Sequence, residues 1–128
     1  MVINPENLKY HASHTWLKVE ADGACTVGIT HHAQEQLGDV VYVDAPVVGC
    51  TVTQGEACGV IESVKTAADV HAPASGVVIE INPALADAPE AVNTDPYGAW
   101  LFRIKLGDPA ELASLLDAAA YGKVAEEQ

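Results

Sequence analysis

Turn-forming residues recur so closely in the middle of the chain that no long helix fits between them. Gly49, Gly55, Pro73 and Gly76 stand between short segments rich in β-branched residues. These segments are 47–48, 51–53, 58–63, 67–70 and 77–81. Because Gly and Pro interrupt regular structure, short segments of this composition between them are typical of strands. The spacing therefore predicts short β-strands joined by tight turns.

The N-terminal part of the chain has the pattern of a β-hairpin. Leu17 and Val19 alternate with polar residues, and Asp22-Gly23 offers a turn before a second alternating segment at 25–29. Such alternation places apolar side chains on one face of a strand, and Asp-Gly is a strong hairpin signal. Together with the segments above, this hairpin predicts about seven or eight short strands.

Two segments have helical character instead. Thr30 can cap a short helix that Gly38 ends, and Asp108 followed by Pro109 opens a longer helix over about 108–121. The chain shows no alternation of strands and helices of the kind that builds a parallel sheet. We therefore predict an all-β fold, a flattened barrel or sandwich of short antiparallel strands with short helices and a C-terminal α-helix.

Size and charge limit the classes of function. The chain has 128 residues and a mass of 13.4 kDa, which is the size of one domain. Acidic residues outnumber Lys and Arg by 18 to 6, and the formal net charge is -12. This charge disfavours nucleic acid and anionic membrane surfaces as partners and favours partners with basic patches. No apolar run approaches the ~20 residues that span a bilayer.

The three cysteines, Cys25, Cys50 and Cys58, show no recognisable metal or redox spacing. No pair has the two-residue gap of a metal knuckle or a redox dithiol, and the count is odd. The opening residues show neither a secretory leader nor an Arg-rich transit peptide. We therefore expect reduced thiols and a cytoplasmic protein, with a monomer as the default state.

Lys65 is isolated, because no other Lys or Arg occurs between Lys18 and Arg103. Polar pairs at 62–63 and 65–66 interrupt strand-like segments, which places Lys65 near a bend with its ammonium group in water. A modifying enzyme can select a single accessible amine by its position. Spacing alone favours an ordinary surface lysine, so these residues by themselves do not identify a modification.

Several blocks along the chain resemble one protein family. The run ESVK at 62–65 is similar to the lipoylation segment of the glycine cleavage system H proteins. The run GITHHAQEQLGDVVYVDAP at 28–46 resembles the central signature of that family, and Tyr10, His14 and Trp16 resemble its opening motif. Further blocks follow in the same order and at nearly constant spacing, so the resemblance covers most of the chain and is specific.

The resemblance implies a lipoyl-domain-like barrel-sandwich hybrid in which residues 1–128 form a single carrier domain. It implies that lipoate is joined as an amide to Lys65, which removes one positive charge. The lipoylating enzyme is expected to recognise the flanking residues, Glu62, Ser63, Val64 and Thr66. Since the chemistry then resides in the cofactor and the partners, we expect a carrier and not an enzyme, with no catalytic residue and no metal.

The same resemblance implies partner enzymes of glycine catabolism and one-carbon metabolism. A pyridoxal-phosphate glycine decarboxylase (the P protein) loads an aminomethyl group on the arm as it releases carbon dioxide. A tetrahydrofolate-dependent aminomethyltransferase (the T protein) takes the one-carbon unit, and dihydrolipoamide dehydrogenase (the L protein) reoxidises the dithiol. Tethering raises the effective concentration of the arm at each partner site.

A loaded arm has to be sheltered from water, and its amine favours a polar or acidic cleft. The residues that the resemblance implies for this cleft are Ser13, His14, Thr15, Glu35, Gln36 and Asp69. Many members of the family carry Glu where Thr15 stands, so Asp69 or Glu35 would have to compensate. His14 is equally well interpreted as a hydrogen-bonded polar residue at the start of a strand.

Other functions are compatible with part of this pattern. A lipoyl-relay protein, which donates lipoyl groups to acyltransferase domains, would use the same residues. A biotinyl carrier is disfavoured because Lys65 is not flanked by methionines. A small thiol enzyme built on Cys58 and His71 lacks activating neighbours. The adjacent His31 and His32 would point about 100° apart on a helix, so we expect solvent-facing side chains and not a metal site.

Overall fold

The computed structural model describes residues 4–126 of the chain. Its strands are β1 Lys9–His11, β2 Thr15–Val19, β3 Ala24–Ile29, β4 Val40–Asp44, β5 Thr51–Val52, β6 Ala57–Ser63, β7 Ala67–His71, β8 Gly76–Ile81 and β9 Phe102–Leu106. Its α-helices are α1 His31–Leu37, α2 Ala84–Asp87, α3 Ala91–Thr94 and α4 Ala118–Glu126, and a 3₁₀ helix spans Pro109–Ser114. No helix in this part of the chain is long and apolar enough to cross a bilayer.

The strands form two antiparallel sheets. The larger sheet has the strand order β1-β2-β3-β9-β8-β5, and the smaller sheet has the order β4-β6-β7. Buried apolar side chains from both sheets, including Val27, Ile61, Val78 and Ile104, belong to one core cluster. This arrangement confirms the prediction of an all-β fold of short antiparallel strands with a few short helices.

The N-terminal hairpin forms where the alternation of apolar and polar residues predicts it. β2 and β3 pair with Leu17 opposite Val27 and Val19 opposite Cys25. Gly23 makes the turn between them with a φ of 87°. This left-handed conformation costs glycine little because it has no Cβ.

α1 and the connection that follows it lie beside the functional site described below. Thr30 caps the helix by accepting a hydrogen bond from the N–H of Ala33, and Gly38 ends it with a φ of 78°. The amide of Asn93 then donates to the carbonyl of Gly38 at 2.7 Å. Its oxygen accepts from the N–H of Val40 at 2.8 Å. Asn93 therefore fixes the passage from α1 into β4.

The C-terminal segment differs from the continuous helix predicted over 108–121. Asp108 caps its start as expected, but the segment begins as a 3₁₀ helix and becomes extended at Leu115. Leu116 forms an isolated antiparallel bridge with Tyr10, through backbone hydrogen bonds of 2.8 and 2.7 Å. Because this pairing with β1 replaces helical hydrogen bonds, α4 begins only beyond the bridge.

Two smaller predictions are also wrong. Residues 47–48 form part of a turn, not a strand, and Gly49 follows with a φ of 95°. Trp100, Phe102, Ile104 and Leu106 alternate with other residues and predict one strand, but Trp100 precedes β9 and packs against a second, smaller core cluster that contains Trp16.

Candidate functional site

β6 and β7 form a hairpin whose tip carries Lys65. Glu62 pairs with Ala67 across the hairpin, and the N–H of Ser63 donates to the carbonyl of Thr66 at 2.7 Å. The side chain of Ser63 adds a second link, because its Oγ accepts from the N–H of Thr66 at 3.2 Å. Lys65 is exposed, so this hydrogen-bonded turn presents its amine to solvent.

The α1–β4 connection supports the tip of the hairpin. The N–H of Val64 donates to the carbonyl of Asp39 at 3.0 Å. A Cβ built at Gly38 would lie 3.4 Å from Cε and 3.9 Å from Nζ of Lys65, so the lysine stem passes over this glycine. None of the ion pairs between described residues involves Lys65. The side chain of Lys65 is therefore exposed and not held in one of these ion pairs.

A cleft of about 240 Å³ begins beside this turn, at Thr66. Its apolar lining residues are Ile29, Ala33, Leu37, Ile61, Ala67, Ala68 and Val70. Its polar lining residues are Ser13, His14, Thr15, Gln36, Thr66 and Asp69. The structure thus brings Ser13, His14, Thr15, Gln36 and Asp69 together at one site, although they come from three separate parts of the chain.

Glu35 lies outside this cleft. Its carboxylate is exposed and pairs with His31, one helical turn earlier, at 3.5 Å. Successive residues of a helix are rotated by about 100°. The face of α1 that carries Ala33, Gln36 and Leu37 to the cleft therefore turns Glu35 away. The expectation that Glu35 lines the cleft is not met.

A short chain of polar side chains lies along one wall of the cleft. Oγ of Ser13 is 2.7 Å from Nδ1 of His11 and 3.4 Å from Oγ1 of Thr15. Burial and the neighbouring His71 lower the pKa of His11. The same Nδ1 accepts a hydrogen bond from the N–H of Ser13 at 3.1 Å, which requires an unprotonated nitrogen. In this arrangement Nδ1 of His11 is an acceptor, and the two hydroxyl groups beside it are neutral.

His14 connects the cleft to α4. Its Nδ1 lies 2.7 Å from the hydroxyl of Tyr121, and the same hydroxyl lies 2.7 Å from Oγ1 of Thr30. Burial raises the pKa of Tyr121 to about 12, so the hydroxyl keeps its proton and can donate it. His14 also has a φ of 72°, in the left-handed region. Both interpretations of His14 therefore hold, since it lines the cleft and is hydrogen-bonded.

His32 is only partly exposed, so the expectation of a solvent-facing side chain is not met. Its Nε2 is buried and has no hydrogen-bond partner among the described residues. Its ring lies 4.6 Å from the ring of His14, and burial together with His14 lowers its pKa. Over residues 4–126 no group of three or more His, Cys, Asp or Glu side chains is arranged to hold a metal ion.

The outer face of the small sheet is acidic. The pairing register places Asp44 and Asp69 on either side of Val60, and Glu62 opposite Tyr42 in the next row. Residues directly opposite each other in antiparallel strands point to the same face. Three exposed carboxylates therefore share one face of the hairpin that carries the lysine.

Sequence reasoning missed three residues that support this site. Gly38 ends α1 beside the stem of Lys65, Tyr121 binds His14, and Asn93 fixes the α1–β4 connection. Each of these contacts joins elements that lie far apart in the chain or in different turns. Neither the periodicity of the sequence nor its turn signals predict contacts of this kind.

Two antiparallel sheets with an exposed lysine at a hairpin tip make this a lipoyl-domain-like barrel-sandwich protein. The family model described as glycine cleavage H-protein matches residues 8–128. The chain belongs to this family. Membership supports the role of a lipoyl carrier subunit in the glycine cleavage system.

Similar proteins agree with this assignment over nearly the whole chain. The glycine cleavage system H protein of Escherichia coli O7:K1 is 57% identical over 125 residues, which are 97% of each chain. That of Laribacter hongkongensis is 58% identical over 120 residues, 93% of this chain and 94% of the relative. A crystal structure of a glycine cleavage system H protein from Mycobacterium marinum superposes with a TM-score of 0.82 at 43% identity, covering 93% of this chain and 96% of that one.

Proposed function

We propose that Lys65 carries lipoate as an amide and that the chain shuttles the aminomethyl group of glycine from the P protein to the T protein. The L protein then reoxidises the arm. The observation that carries the proposal is the presentation of Lys65, exposed at the tip of a hydrogen-bonded turn directly beside a cleft. We propose a single carrier domain over residues 1–128 that is monomeric, cytoplasmic and without a catalytic step of its own.

The residues around Lys65 fit a long acyl group on its amine. Nζ reaches solvent past Gly38, and the cleft starts one residue away at Thr66. When bound, lipoate supplies a dithiolane that exchanges between disulfide and dithiol and carries the one-carbon cargo. The chain contributes the anchoring amine, the frame of the turn and a surface against which the arm can rest.

The two kinds of cleft lining suit the two ends of such an arm. Ile29, Leu37 and Ile61 offer apolar surface to its hydrocarbon part and exclude water from it. Asp69 offers a carboxylate to the amino group of the cargo. Thr15 is almost fully buried, with 1% of its surface exposed, and adds a neutral hydroxyl where many relatives would add a carboxylate.

The turn itself offers features for the lipoylating enzyme. Val64 is 72% exposed, so its side chain is accessible to a protein that approaches the turn. Ser63 and Thr66 close the turn, and Glu62 stands on the acidic outer face. We propose that the enzyme contacts Val64 and Glu62 directly. Ser63 and Thr66 contribute to recognition indirectly, because they fix the shape of the turn.

The acidic outer face suits docking to the partner enzymes. Asp44 and Glu62 lie on the outer face of the hairpin that carries Lys65, and acylation of Lys65 removes a positive charge from the tip of that hairpin. Complementary charge accelerates association and orients the partners before contact. We propose that basic patches around the partner active sites face these two carboxylates, whereas Asp69 lines the cleft and is left for the cargo.

The test starts with lipoylation. Purified protein is incubated with lipoate, ATP and a lipoate ligase, and its intact mass and the peptide that contains position 65 are measured. We expect one lipoyl group on the wild type and on the exposed-lysine control Lys105→Arg, and none on Lys65→Arg. Equal thermal unfolding of the three proteins would show that the lysine change acts on modification and not on folding.

The lipoylated protein is then supplied to the P protein with glycine, and carbon dioxide release is measured. Release that depends on lipoylated Lys65, followed by one-carbon transfer with the T protein, supports the shuttle. Efficient lipoyl transfer to acyltransferase domains without glycine-dependent release would favour the relay function. Lipoylation of Lys65→Arg would overturn the choice of attachment site.

A further inference from the structure

A second cleft brings two cysteines together at the end of β6 opposite the Lys65 turn. It measures about 340 Å³ and lies between the β4–β5 connection, β5 and the start of β6. Cys50 and Cys58 both line this cleft and both are only partly buried. Both also pack against the main core cluster. The turn at Gly55, with a φ of 84°, reverses the chain between them.

We propose that Cys50 and Cys58 form a dithiol site that small, positively charged disulfides convert to an intramolecular disulfide. Asp44 and Glu56 line the same cleft. Their carboxylates attract a disulfide that carries ammonium groups and repel an anionic one. Cys25, the remaining thiol, is fully buried in β3 and lies outside this cleft.

The surroundings assign different roles to the two thiols. Sγ of Cys58 donates a hydrogen bond to the carbonyl of Val70 at 3.4 Å. Burial, and then the proximity of Cys50, raise the pKa of Cys58 to about 11. Because the thiolate is the nucleophile, Cys50 is the thiol that attacks first and Cys58 is the thiol that resolves.

The exchange balances in two steps. The thiolate of Cys50 attacks one sulfur of the small disulfide, whose S–S bond breaks and releases one thiolate. Cys58 then gives its proton to solvent and attacks Sγ of Cys50, which forms the internal S–S bond and releases the second thiolate. The two cysteines lose two electrons in total, and the small disulfide is reduced to two thiols.

The arrangement favours redox chemistry over metal binding. In the described part of the chain, no third His, Cys, Asp or Glu completes a metal-binding group around this pair. A structural zinc site needs four such ligands. Two thiols that line one cleft and lie close enough for Cys50 to raise the pKa of Cys58 are instead a first condition for a reversible disulfide.

The experiment uses the full chain with Lys65→Arg, so that no lipoyl dithiol can exchange and the outcome is independent of the proposed function. One equivalent of cystamine is added at about pH 8.5, where more of the resolving thiol is ionised. Intact mass, a non-reducing peptide map and thiol titration in denaturant are recorded. The variants Cys25→Ala, Cys50→Ala, Cys58→Ala and Cys58→Ser are compared. Two substitutions are made at Cys58 so that at least one of them gives a folded protein.

We expect a loss of two hydrogen atoms, a cross-link between the peptides of Cys50 and Cys58, and consumption of two of the three free thiols. The cross-link should persist in Cys25→Ala and disappear in Cys50→Ala. A cystamine adduct that stays on Cys50, a cross-link to Cys25, or no reaction would overturn the proposal. A faster reaction with the anionic glutathione disulfide would overturn the assigned charge preference.

Discussion

Replacing Asn93 by alanine should destabilise the protein and also impair presentation of Lys65. The change removes the acceptor of the N–H of Val40, whose surface is only 3% exposed, and the donor to the carbonyl of Gly38. It also removes the hydrogen bond of 3.0 Å to Oε1 of Gln34. The passage from α1 into β4 would then lack its side-chain support.

The magnitude follows from these three contacts. A buried N–H without an acceptor costs about 1–3 kcal/mol, and each remaining hydrogen bond contributes about 1 kcal/mol. We therefore expect a loss of about 3–5 kcal/mol in the free energy of unfolding. The carbonyl of Asp39, in the same connection, holds the N–H of Val64. Lipoylation of the folded variant should therefore be slower than that of the wild type.

Urea unfolding measures the stability, and the initial rate with lipoate ligase measures the presentation of the lysine. Asn82→Ala is the matched control, because Asn82 also bonds the backbone, at Trp100 and Ala84, but lies away from the Lys65 turn. It should lose stability and keep its lipoylation rate. A loss below about 1 kcal/mol for Asn93→Ala would refute the energies assigned to its three hydrogen bonds. Equal lipoylation rates in the two variants would refute the coupling to the turn.

Three further outcomes are expected. Gly28→Ala should lower the free energy of unfolding by about 1–3 kcal/mol, because its Cβ would lie 2.5 Å from the ring of buried Trp16. Tyr121→Phe should cost about 1–2 kcal/mol, since it removes the hydroxyl bound to His14 and leaves the ring in place. Because burial lowers the pKa of His32, the unfolded chain binds a proton at higher pH than the folded chain does. Stability should therefore fall as the pH drops through about 6.5, and His32→Gln should reduce this slope.

Denaturant titration checks the first two variants, with Gly107→Ala as a control because a Cβ there meets only ordinary contacts beyond 3.4 Å. The third outcome needs unfolding free energies at about pH 7.5 and 5.5 for both proteins. A slope that His32→Gln leaves unchanged would assign the pH dependence to other groups. Wild-type stability for Tyr121→Phe would show that the hydroxyl contributes no net hydrogen-bond energy.

The elements that sequence reasoning located correctly are those with local physical causes. The Asp22-Gly23 hairpin and the capping by Thr30 depend on neighbouring residues and on one backbone conformation each. The Lys65 bend likewise follows from a polar interruption between two apolar segments. Such local preferences can be predicted from the periodicity of apolar residues and from the residue types at turns.

The failures arose where distant segments compete with local preference. Asp108 followed by Pro109 predicted one C-terminal helix, but Leu116 pairs with Tyr10 and interrupts it. Glu35 was assigned to the cleft by resemblance, whereas the rotation of α1 against the sheets turns it outward. In both cases the deciding contact lies on another element, so the segment alone carries no signal of it.

The sequence by itself determined the class of fold, the bend that carries Lys65 and the family, because each depends on local patterns and motifs. Only the tertiary structure decided which side chains meet in the cleft, how Tyr121 reaches His14, and that Cys50 and Cys58 share one opening. These depend on how two sheets and a helix pack together. Packing is set by the summed fit of many side chains and not by any one segment.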